Sequence, residues 1–256
     1  VSSLLSLLLL SAPAQAAGQF GGVSVSFTAE VDSTGFDPLL DVTARPLITD
    51  NGRFETHWVP FSLSWSFLGG SAKIFDRVDL AILETERSLE QGRAAVTARL
   101  PGIVYDYDMR VADLDILGGG VSVKLVGDQV KMRVGMDVRT RFAMTSWVPS
   151  NATLALGIPL GVVVRSPADR PYYLLGTLDV RPGIAMVGDA GFLFDAQFKG
   201  RGAYIIIQGQ DIDMRVFADL DFRFDNAAYT TTGLSDTVSR VAFWELSGSG
   251  GLLLRF

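Results

Sequence analysis

The side chains with chemical capacity in this chain are carboxylates and guanidinium groups that recur at every second position. Asp213, Arg215, Asp219, Asp221 and Arg223 alternate with apolar residues, as do Arg133, Asp137, Arg139 and Arg141, and Arg110 follows Asp106 and Asp108 at the same spacing. Interleaved charges of both signs on one face of an extended chain do not make a catalytic triad. They either pair as cross-linked filling or line a passage in which opposed Arg and Asp orient a charged solute. Other constellations are thin. His57 is the only histidine and there is no Cys, which removes the common N/S zinc sets. No Ser stands two residues after His57 to form a hydrolytic pair. Asp113/Asp115 and Asp219/Asp221 offer carboxylates at alternate positions, but the Gly and closing Glu of a calcium loop are missing. Gly118–Gly120 lacks the Lys-Ser/Thr of a phosphate loop and reads as a turn. The expectation is no catalytic site, no metal and no cofactor.

These charges need strands to hold them. In 211–225, Ile212, Met214, Val216, Ala218, Leu220, Phe222 and Phe224 form one face, and the charged residues with Phe217 form the other, the period-two pattern of a strand with unlike faces. Val23, Val25, Phe27, Ala29 and Val31 alternate with Ser24, Ser26, Thr28 and Glu30, and Phe61, Leu63 and Trp65 with Ser62, Ser64 and Ser66. His57 shares parity with the latter apolar set and is expected to face outwards beside Trp58. Residues 130–146 place Arg133, Asp137, Arg139 and Arg141 opposite Val130, Met132, Val134, Met136 and Val138. Between 93 and 117 the phase slips, since Ile103 to Val111 share one parity and Leu114 and Ile116 the other; a β-bulge near Val111–Ala112 accounts for it. Polar stretches 32–41, 84–93 and 226–236 read as long loops. Arg181-Pro182-Gly183 and Lys199–Gly202 read as separators.

The last stretch carries the address. Counting back from Phe256 by twos gives Leu254, Leu252, Gly250, Gly248, Leu246, Trp244 and Ala242, none of them charged. Twelve residues from Trp244 to Phe256, at roughly 3.3 Å each and tilted near 40°, span about 30 Å, the apolar thickness of a bilayer. This pattern resembles the terminal strand of bacterial outer-membrane β-barrels. The resemblance implies an all-β fold, a transmembrane antiparallel up-and-down barrel, in the outer membrane of a Gram-negative bacterium. It also implies that Phe256, Leu254 and Leu252 act as an assembly signal read by the barrel-assembly machinery. An even strand number of about 12 (10–14) is expected, because closure keeps both termini on one side. Twelve strands give a backbone radius of about 12 Å, wide enough to leave an opening unless side chains bridge it.

Composition agrees with that class. Hydrophobic residues make up 48% of the 256, mean hydropathy is +0.29, and no apolar run is long enough for a membrane helix. Leu4–Leu10 followed by Ala14-Gln15-Ala16 has the form of a signal peptide, so 1–16 is expected to be a cleaved leader and 17–256 the barrel. A net charge of −6 argues against nucleic acid as a partner. Expected partners are outer-membrane lipid, the assembly machinery and small charged solutes. Three functions fit: a small pore or channel with an Arg/Asp lumen, a closed structural or adhesive barrel, and a soluble periplasmic lipid-binding β protein.

Overall fold

The computed structural model describes residues 19–256 apart from 33–34, 51–53, 67–74, 76, 90–93, 127–128, 146–147, 167–170, 189–190, 209–211, 233–236 and 256. Residues 1–16, expected to be a leader, and Phe256, expected to belong to an assembly signal, lie outside the described residues. Alternation is so regular that nearly all the described chain is strand: β1 (Gln19–Asp32), β2 (Phe36–Asp50), β3 (Phe54–Trp58), β4 (Phe61–Ser66), β5 (Arg77–Leu89), β6 (Ala94–Asp106), β7 (Val111–Val126), β8 (Val130–Thr145), β9 (Val148–Gly157), β10 (Leu160–Arg165), β11 (Tyr172–Val187), β12 (Phe192–Gln208), β13 (Asp213–Thr232) and β14 (Thr237–Arg255).

Every pairing is antiparallel, and β1 returns to β14, with Val23 opposite Leu254 and Val31 opposite Leu246, so the sheet closes. β3 and β4 both lie between β2 and β5, and β9 and β10 both lie between β8 and β11. Each couple is one wall strand, and the barrel has 12, as expected. The cause of both breaks is proline. Pro60 and Pro159 lack the N–H that a ladder needs, and Val59 before the first takes φ 51°, a region costly for a β-branched residue. The carbonyls still work: Ala81 N donates to Pro60 O (3.0 Å) and Gly135 N to Pro159 O (2.8 Å).

The apolar faces turn outwards. Phe27, Leu174, Leu220, Phe222, Trp244, Leu246, Leu252 and Leu254 are all exposed on the outer surface, whereas Ser24, Ser26, Thr28 and Glu30 are buried inside. A ring that is greasy outside and charged inside inverts the soluble sandwich, and it is the arrangement a bilayer requires.

Several local expectations change. The phase slip in 93–117 is a hairpin turn, Tyr107–Arg110, with Arg110 at φ 53°, between two separate strands. The bulges of β7 lie further on, at Asp115/Leu117 and Lys124/Val126; Ile116 and Leu117 both face outwards there. His57 is opposite Glu84, which is opposite Arg99, and Arg99 bridges to Asp79 on the lumen side. His57 therefore stands on the inward row, because the Val59–Pro60 break shifts the phase between it and Phe61. Gly118–Gly120 is no turn but the middle of β7. A Cβ on Gly120 would come within 2.7 Å of Val134 O, so the ladder closes there only without a side chain.

The long loops are also shorter than expected. β1 runs to Asp32 and β2 starts at Phe36; β5 runs to Leu89 and β6 starts at Ala94; β13 runs to Thr232 and β14 starts at Thr237. These segments are polar because their inward side faces charge, as where Glu84 meets Arg99 at 3.4 Å. Arg181-Pro182-Gly183 lies inside β11 and Lys199–Gly202 inside β12. Pro182 is tolerated because it lies across from the β9–β10 break, where Ile158 N still donates to its carbonyl (2.8 Å).

Candidate functional site

The inward faces of the strands meet in a charged lumen. Among the described residues, three ion pairs reach across it instead of along one wall. Arg223 of β13 donates to Asp106 Oδ2 at the end of β6 (2.5 Å) and also pairs with Glu245 of β14 (2.5 Å). Arg141 of β8 grips Asp113 through Nε (2.8 Å) and NH2 (2.6 Å) and pairs through NH1 with Asp225 of β13 (3.0 Å). Arg139 reaches Asp195 of β12 (3.1 Å) and Asp113 (3.4 Å). Arg139 and Arg141 are 1% and 2% exposed, so water does not compete for these bonds. Planar guanidinium groups suit such two-pronged contacts.

The charges of these pairs, with others from the same inward faces, line two cavities that lie side by side. One, of about 260 Å³, is bounded by β1, β2, β4, β5 and β12–β14, and its wall holds eight carboxylates (Glu30, Asp41, Asp79, Asp106, Asp108, Asp219, Asp221, Glu245) against four bases (Arg77, Lys199, Arg201, Arg223). The other, of about 280 Å³, is bounded mainly by β5–β8 and β10–β13 and holds seven arginines against six aspartates. Arg77, Asp79, Gln197 and Arg223 line both. Arg77 and Asp79 come from β5 and Gln197 from β12, on opposite walls, so these four residues form the waist between an acidic chamber and an arginine-rich one.

At the end of the lumen remote from the termini, the walls touch. Met109, Val111 and Ala143 pack on Ala228, Tyr229 and Phe243, each at most 7% exposed. Tyr229 N donates to Met109 O at 2.7 Å. β13 bulges between Asp225 and Ala228 to make this contact, and Ala227 N is taken up by Asp225 Oδ1 (2.7 Å).

Each lining residue singled out from the sequence has a definite place. Arg133 pairs with Asp179 through Nε (3.0 Å) and is half exposed. Asp137 is buried against Arg181 (3.0 Å). Asp219 accepts both prongs of Arg201 (2.7 and 2.6 Å). Asp221 takes Gln197 (2.7 Å) and Lys199 (3.4 Å). Asp213 and Arg215 pair with each other (2.5 Å) near the terminal end. Arg110 stands apart, in the β6–β7 turn, where its carbonyl accepts from Met144 N (2.9 Å). Leu252 and Leu254 point outwards. The acidic partners Asp225, Glu245 and Asp113, and the bases Arg201 and Arg77, complete the lumen without having been picked as lining residues. Their parity was the available signal: Asp225 continues the run Asp219, Asp221, Arg223.

No family model matches the chain, and no curated protein does. Among solved structures, the COG4313 outer membrane channel from Pseudomonas putida F1 superposes with a TM-score of 0.54 at 12% identity, over 96% of this chain and 99% of that one. The fold is that of an outer-membrane β-barrel. The NanC porin (TM-score 0.45, 9% identity, 89% of this chain and 98% of that one) and the KdgM porin (0.42, 8%, 88% and 97%) are more distant.

Proposed function

We propose that the protein is an outer-membrane channel for small charged solutes, with cations favoured and the acidic chamber as the path. The carrying observation is the makeup of that chamber, eight carboxylates to four bases on a wall that also presents Ser24, Ser26, Ser62, Ser64, Ser247 and Ser249. Hydroxyls and carboxylates replace the hydration of a passing cation, and an excess of one sign raises its local concentration. The arginine-rich chamber, nearly balanced and stitched across, supplies stiffness. Export through cleavage near Ala16, delivery of the terminal strand to the assembly machinery, and lipid around the outer belt belong to the same reading. It assigns transport, not catalysis, to the chain.

Planar-bilayer recordings test it. Purified protein under a salt gradient should give steady conductance with a reversal potential on the cation side. A reversal potential at zero or on the anion side would refute the charge assignment.

One observation favours a second reading, a closed structural barrel. The cross-lumen pairs and the packed cluster around Met109 join opposite walls. Folded protein, heat-modifiable in mobility, that stays electrically silent even when Asp106→Asn breaks a cross-lumen pair would establish it. Recovery from soluble periplasm without detergent would instead promote the lipid-binding alternative.

A further inference from the structure

The turn Tyr107–Arg110 joins neighbouring strands β6 and β7 and is held beside them where Arg110 O accepts from Met144 N, yet Met109 also reaches the far wall. Met109 O takes Tyr229 N of β13, and β13 is halfway round the barrel from β6. The Asp108 carboxylate comes within 4.8 Å of those of Glu30 and Asp32 on β1. One residue couples the turn to the lumen charge: Asp106 Oδ1 accepts from Met109 N (2.8 Å) while its Oδ2 accepts from Arg223. These bonds belong to no ladder between adjacent strands. They can break and reform while the wall stays closed, unlike any bond of the β1–β14 or β6–β7 registers.

We propose that the β6–β7 turn is a gate across the lumen, shut when Met109 docks on the β13 bulge and open when it withdraws. The proposal rests on the channel reading. Two small arrangements of one turn, with the same barrel around them, make a bistable element of the kind that switching requires. The shut state is the one described, since Met109 is 7% exposed and Ala227 and Ala228 are 0% and 1%. The latch has an apolar part, Met109 on Tyr229 and Phe243, and a charged part, Asp106 on Arg223. Loosening either should lengthen openings.

The chain has no cysteine, so a tether can be placed cleanly. Met109→Cys with Tyr229→Cys puts thiols on two residues already joined by a backbone hydrogen bond, a spacing compatible with a disulfide. In planar bilayers the oxidised protein should conduct at least tenfold less than the same protein after reduction, with each single cysteine variant indifferent to oxidant. Asp106→Asn should raise the open fraction several-fold while heat-modifiable mobility stays normal. Equal conductance in oxidised and reduced forms, with the disulfide verified, would overturn the gate and leave the channel standing. Silence of the wild type, the reduced pair and Asp106→Asn, all folded, would overturn both. Should the cysteine pair fail to fold, Met109→Gly and Asp106→Asn carry the test, and unchanged open times in both would overturn the gate.

Discussion

Arg223 and Asp106 meet at 2.5 Å although β13 and β6, which carry them, stand on opposite sides of the barrel. Their ion pair is a strut across the lumen. Both side chains are at most 8% exposed, so the pair is made in place of water. A buried pair of this kind adds little net stability over an apolar filling, but breaking it on one side leaves a stranded charge.

The same logic predicts the outcome at Arg141, which serves Asp113 and Asp225 together. Arg141→Ala should destabilise the folded barrel by about 3–5 kcal/mol, because buried Asp225 loses its counter-charge and Asp113 keeps only the longer contact to Arg139. Replacing the group as a whole (Arg141→Met, Asp113→Leu, Asp225→Leu) should recover most of that. Urea unfolding in lipid vesicles measures both. A single variant as stable as wild type would mean that water reaches the site.

Outward and inward positions of β13 should respond oppositely to charge. Leu220 and Phe222 face out at 51% and 41% exposure, so Leu220→Arg or Phe222→Arg should cost about 2–4 kcal/mol at the bilayer midplane. Asp221→Asn, on the inner side, should leave folding nearly intact. A spin label at 220 relaxed by an aqueous reagent and not by oxygen would invert the faces.

Ion selectivity should follow chamber charge. Neutralising Asp41 and Asp221 in the acidic chamber should shift the reversal potential towards anions, and neutralising Arg133 and Arg181 in the other should shift it less. Both shifts should shrink at 1 M salt, where the Debye length is about 3 Å. An equal response from the two chambers would place the path through the arginines as well.

Loss of Phe256 should reduce assembled barrel far more than total synthesis. Leu252 and Leu254 already face out and pair with Val25 and Val23 of β1, so the strand itself has other support. Fractionation with an unheated mobility shift gives the assembled share. Normal assembly of the deletion would remove the terminal residue from the signal.

Much of this architecture was legible in the sequence, because a two-residue period writes inside and outside into the chain. The faces of β13 and β14 and part of the charged lining could be read from alternation, and the strand number to within two once closure required it to be even. What misled was punctuation. Pro182 and Gly118–Gly120 look like turns, yet they lie within strands beside breaks or close backbone approaches on their neighbours, which a single chain does not display. His57 was misplaced for the same reason, since a phase shift at Pro60 is invisible until Ile82 O and Ala81 N are seen to bridge it. Partner choice was beyond reach. Arg223 and Asp106 are 117 residues apart, and nothing local in either selects the other.

The pairing of Val23 with Leu254 carries a kinetic consequence. The seam is made by the first and last strands, so its loop-closure entropy is that of nearly the whole chain. Hairpins such as β13–β14 can zip as soon as they are made, but the ring cannot shut until β14 has been synthesised and delivered to β1. Until then two open edges expose unpaired backbone that water satisfies and lipid does not. Folding should therefore be slow, of high contact order, and limited by the seam. Weakening β1 at Val25 or Val31 should slow closure without changing the rate at which the other hairpins form.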